Sequence, residues 1–162
     1  MPSSRLPILT LLAAATLLAG CFESTKPISP AGTVPYDNAV LGSWNCVPDP
    51  PLRPQDKATL TLRNIDQYSY DANWADGDKT SRYRVYGSKL EGGAVVLNVL
   101  EVAPSAKWFF VRYKREGSKL LLRVANAQEI KGGYEARKMD DLKTRAASDD
   151  LFTSFAVCTK GK

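Results

Sequence analysis

Three cysteines, Cys21, Cys46 and Cys158, are the residues best suited to covalent chemistry in this 162-residue chain, which contains no histidine. The missing histidine excludes Ser-His-Asp and Cys-His catalysis and histidine-based metal sites. It also removes the usual general base near neutral pH. Carboxylate pairs and Ser-Lys dyads survive in principle, but neither has a recognisable motif. Asp76 and Asp78 flank Gly77 and are better explained by a hairpin turn. No catalytic residue, cofactor or metal site is expected.

Cys21 closes the tetrapeptide Leu18-Ala19-Gly20-Cys21 after a short apolar run. Arg5 supplies positive charge, and residues 6–18 are apolar except for Pro7, Thr10 and Thr16. The run is shorter than the roughly 20 residues of a membrane-spanning helix. Ala19 and Gly20 are the small residues of a cleavage site. The tetrapeptide resembles the lipobox of bacterial lipoproteins. That resemblance implies cleavage of residues 1–20 as a signal peptide and a lipid, commonly palmitate-bearing, on Cys21. An ordinary secretory signal would leave Cys21 incidental, but two small residues and a cysteine directly after the apolar run argue against it. One acyl chain anchors a protein only marginally, whereas the diacylglyceryl group of lipoproteins anchors it stably. Residue 22 is Phe rather than Asp, which by the same resemblance implies the outer membrane, facing the periplasm.

With Cys21 given to lipid, Cys46 and Cys158 remain. An exported chain meets an oxidising compartment, so the pair is expected to form a disulfide. The closed loop of about 110 residues is worth about 4.7 kcal/mol in the chain-entropy model. Two free buried thiols are the alternative.

The elements that must position these residues are mostly strands. Loss of residues 1–20 leaves 142 residues, enough for one domain with a core. Loss of Arg5 leaves 21 basic against 17 acidic residues, hence +4. This is not the dense basic cluster of a nucleic-acid binder. Residues 21–38 carry Pro27, Pro30 and Pro35 among Ser, Thr and Gly. They are expected to form a tether of about 23 Å, the alternative being an irregular strand packed along the domain.

Residues 39–162 are expected to be a single β-rich domain. Residues 58–63 alternate with period two, residues 95–102 are apolar on both faces, and residues 107–114 are aromatic-rich. The fold class is mainly β: an antiparallel meander of about seven strands closing into a barrel or half-barrel. One C-terminal helix is expected at residues 140–151, with Asp140 and Asp141 in its first turn. Residues 155–159 form the closing strand. Strands this few and interrupted do not suit an outer-membrane barrel.

Gly42-Ser43-Trp44 resembles the Gly-x-Trp signature of lipocalins. The resemblance implies that Trp44 plugs the closed end of a barrel under a basic residue of the last strand, with Lys160 as the candidate. The family's second motif, of Thr-Asp-Tyr type, is missing. Trp44 and Cys46 share a face, so the plainer reading packs Trp44 on the disulfide. Tyr68, Tyr70, Trp74, Tyr83, Trp108, Phe110 and Tyr113 either fill a core or line a cavity or contact face. Trp74 stands beside a turn, where a core role is less obvious. Arg82, Arg84, Arg112, Lys114 and Arg123 read as solvated rows on outward strand faces.

Three functions fit. The first is a lipid-anchored, non-enzymatic interaction module, with Tyr70, Trp74 and Trp108 as candidate contacts for an envelope protein. Some exported barrel lipoproteins inhibit lysozymes or proteases through a protruding loop, but their loop motifs are absent here. The second is a lipocalin-like carrier of a small apolar ligand, which a cavity of about 300 Å³ or more would favour and a filled core would exclude. A carboxylate-dependent cell-envelope enzyme ranks last. Metabolic palmitate labelling of the wild-type chain is expected to disappear in Cys21→Ser; equal labelling of the two would end the lipoprotein reading.

Overall fold

The computed structural model describes residues 20–49 and 57–161. The expected signal segment, and Pro50, Pro51 and Pro54 of the loop after Pro48, lie outside the described residues. The elements are β1 (Glu23–Ser24), β2 (Gly42–Pro48), β3 (Ala58–Asn64), β4 (Ser69–Asp76), β5 (Lys79–Lys89), β6 (Val95–Glu101), β7 (Trp108–Glu116), β8 (Lys119–Ala125), helix α1 (Glu135–Arg145) and β9 (Phe152–Lys160). From β2 onward each strand pairs antiparallel with its successor, and β9 returns to pair with β2. The result is a closed barrel of eight strands, with β1 added against β7. About seven strands was therefore one too few for the barrel, which needs a partner on both sides of every strand. Gly77 and Gly117 open the two tightest hairpins with φ of 56° and 61°, which only glycine adopts freely.

Side chains alternate across each strand. Trp44, Cys46, Leu60, Tyr70, Ala72, Val85, Leu120 and Ala156 belong to the inner core. Cys46 stands opposite Cys158 on the β2–β9 seam and is disulfide-bonded to it. The pairing expected from the sequence is the one formed.

A second core lies outside the barrel. Val96 and Phe110 face away from the interior yet are fully buried. They are covered by Phe22 and Ile28 from the N-terminal segment and by Met139 and Leu142 from α1. This explains the two-sided apolar run of β6 and the aromatic run of β7.

Residues 21–38 are consequently not a tether. They strap the barrel: Glu23 and Ser24 pair with Phe109 and Trp108, Val34 bridges Gly87, and Tyr36 N–H donates to the Gln67 carbonyl at 3.1 Å. The physical reason is burial: Phe22 and Ile28 are 4% and 6% exposed, and each contributes about 1.5–3 kcal/mol when taken from water. Asn98, fully buried, clips the strap in place. Its Oδ1 accepts the Ile28 N–H at 2.8 Å, while its Nδ2 donates to Ser88 Oγ at 2.8 Å and to the Tyr86 carbonyl at 3.3 Å.

The helix also departs from expectation, starting at Glu135 rather than residue 140. The Glu135 carboxylate accepts from Ser24 Oγ, Thr25 N and Thr25 Oγ1 at 2.7–2.8 Å, which ties the first turn to the strap. Asp141, expected in the first turn, instead pairs with Arg145 one turn on, at 2.9 Å. Residues Asp149–Leu151 form a separate 3₁₀ turn, and the closing strand begins at Phe152 rather than residue 155.

Asn98→Ala leaves the Ile28 amide and Ser88 without their buried partner. It is expected to cost about 1–3 kcal/mol in denaturant unfolding and to speed hydrogen exchange at Ile28. Unchanged exchange at Ile28 would show that Asn98 does not hold the strap.

Candidate binding cavity

The inward side chains do not fill the barrel. A cavity of about 210 Å³ runs between its two ends. Its wall is aliphatic: Leu60 and Leu62 of β3, Val85 of β5, Leu97 and Val99 of β6, Val111 of β7, and Leu120, Leu122 and Val124 of β8. The period-two pattern of these strands creates that wall, and small Ala72 on β4 leaves room within it.

One end is sealed. A 3₁₀ turn at Asn38–Val40 crosses it, and Trp44 Nε1 donates to the Val40 carbonyl at 2.7 Å. Lys160 Nζ lies 4.3 Å from the centre of the Trp44 ring and donates to the Leu41 carbonyl. Gly42 has φ of 106°, and a Cβ there would stand 3.3 Å from Lys160 Nζ. The glycine thus makes space for the lysine that covers the tryptophan.

The polar groups above this floor are paired. Asp37 Oδ1 accepts the Ala39 N–H at 2.9 Å, Asp37 Oδ2 accepts from Tyr113 Oη at 3.2 Å, and the Asp37 N–H donates to Tyr70 Oη at 2.5 Å. Burial pushes both phenols above the ordinary tyrosine pKa, and the Asp37 charge pushes Tyr113 further in the same direction.

The other end is the rim. Trp74 and Phe155 border it, their rings 5.5 Å apart, with Phe155 43% exposed. On β9 the pairing with β8 steps from Leu122–Ala156 to Arg123–Ser154, so Phe155 is an extra residue that a bulge turns toward the cavity. Cys21 lines the same cavity. Its backbone is fixed by a bridge to Asn126, with Phe22 N–H donating to Ala125 O and Ala127 N–H to Gly20 O, both at 2.8 Å. Burial, aided by the nearby Glu23 charge, raises the Cys21 thiol pKa, so the group is a neutral thiol rather than an activated nucleophile.

The structure brings Cys21, Tyr70 and Trp74 together on one cavity and leaves Trp108 out. Tyr70 is 4% exposed and is wall rather than an outward contact. Trp108 projects outside the barrel, half-buried, edge-on to Tyr86 at 5.6 Å, because β7 turns Phe109, Val111 and Tyr113 inward. Asp37 and Phe155 were missing from the sequence-based candidates. The inward set of β7 follows from its alternation, whereas the turn of Phe155 depends on a bulge that no local pattern marks. Of the basic rows, Arg82 pairs with Asp71 at 2.7 Å, and Arg112 and Arg123 both reach Asp149 at 3.2 Å. Exposed pairs of this kind contribute little. Among the described residues no group of three or more Cys, Asp or Glu could hold a metal.

Compared with protein-family models, with curated proteins and with solved structures, the chain finds no match.

Tyr113 gives the closed end an alkaline signature. Its folded pKa lies above the unfolded value of about 10. The stability it contributes is therefore complete below about pH 10 and is lost as pH rises toward the folded value. Tyr113→Phe is expected to flatten the alkaline fall in stability and to remove the latest tyrosinate absorbance step. A variant that titrates like wild type would place Tyr113 in water.

Proposed function

We propose that this chain is a lipid-anchored protein of the bacterial outer membrane, facing the periplasm, whose barrel binds a small apolar ligand rather than catalysing a reaction. The observation that supports this reading is the apolar cavity, sealed at Trp44 and reaching a rim at Trp74, Phe155 and Cys21. Size narrows the ligand. At about 210 Å³ the cavity falls below the roughly 300–1,000 Å³ of drug-sized sites. At roughly 30 Å³ for each water-sized group, it takes about seven methylenes. Their burial is worth about 5–6 kcal/mol, which corresponds to a Kd of about 0.1 mM. A single alkyl chain or one ring suits that space; a fused polycyclic ligand does not.

Leader-free protein carrying Cys21→Ser should enhance the fluorescence of parinaric acid, a single conjugated chain, saturably, with one probe per chain. Val99→Phe, which fills the middle of the cavity, should weaken this at least tenfold while keeping a β-barrel circular dichroism spectrum. Absence of saturable enhancement in the parent protein, or full binding by Val99→Phe, refutes the cavity as a ligand site.

A further inference from the structure

We propose that the ligand of the cavity is an acyl chain carried by Cys21 of the same molecule. This rests on both readings above, the lipidated cysteine and the binding cavity.

Three observations carry it. The first is position. Cys21 is held at the rim by the Phe22 N–H bond to the Ala125 carbonyl, which survives removal of residues 1–20, and its side chain lines the cavity with Phe109 and Val124. A group attached to Cys21 Sγ therefore starts at the mouth and cannot drift away on a tether. The second is capacity. The space takes one chain, so the remaining chains of a lipoprotein anchor stay in the bilayer. The third is the chemistry of the far end. The hydroxyl of Tyr70 accepts the Asp37 N–H and that of Tyr113 donates to the Asp37 carboxylate, so each has a partner within the protein. A methyl-terminated chain entering from the rim meets these requirements; a free fatty acid entering head-first does not. Transfer of a methylene from bilayer to cavity is close to neutral, since both surroundings are apolar. What favours entry is the effective concentration of a covalently rooted chain, of millimolar order for short linkers.

The test uses the full chain in bacteria fed a diazirine-bearing fatty acid. After irradiation, digestion should yield a lipid-linked adduct within the same chain, on peptides containing Leu97, Val99 or Val124. Val99→Phe should reduce that adduct at least fivefold. Cys21→Ser, held at the membrane by its uncleaved leader among the same labelled phospholipids, should give at least fivefold less. Equal adduct in Cys21→Ser would identify an unlinked lipid as the ligand, overturning this proposal and sparing the cavity. Wild type linked only to surrounding lipid, with parinaric acid still bound by Cys21→Ser, would also overturn it. Loss of parinaric acid binding as well would remove the cavity reading, and wild type without an acyl mass would remove the lipoprotein reading.

Discussion

The seam between β2 and β9 is the constraint on which the rest depends. Without it the meander would be an open sheet with two unpaired edges, each a row of unsatisfied backbone groups. Its register places Trp44 opposite Lys160 and Cys46 opposite Cys158. One set of backbone hydrogen bonds thereby closes the barrel, aligns the disulfide and sets the lysine over the tryptophan that plugs its end. The disulfide adds a covalent stitch across residues 112 positions apart. The stitch restricts the unfolded chain more than it shapes the folded one.

Much of this was legible in the sequence, because period-two alternation is a local signal. The strands and the closure follow from it, and the disulfide from the two cysteines that remain once Cys21 is set aside for lipid. The lysine above Trp44 follows from the β2–β9 register, which sets the two residues opposite each other. What escaped depends on distant partners. Pro27, Pro30 and Pro35 read as a tether because composition does not reveal that Asn98 waits 70 residues on to receive the Ile28 amide. The helix start was misplaced because Glu135 owes its position to Thr25, 110 residues earlier. Phe155 enters the cavity through a bulge, which has no signature in its neighbours.

The barrel is unequally clad. Strands β6 and β7 are covered outside by the strap and α1, whereas β4 and the first half of β5 meet solvent with paired charges such as Asp71 and Arg82. Packing on both faces stiffens the covered strands. Phe22, packed on that stretch, directly follows Cys21, which is itself bridged to Asn126 at the end of β8, so the rim at that point joins a rigid unit.

The strap sets an order for folding. Its residues are the first of the domain to be synthesised, but the surfaces that receive them, β6, β7 and α1, are among the last. A contact spanning 110 residues must wait for its loop to close. The leading segment therefore stays exposed while the barrel assembles behind it, and Cys21 remains accessible until the chain that will hold it is complete.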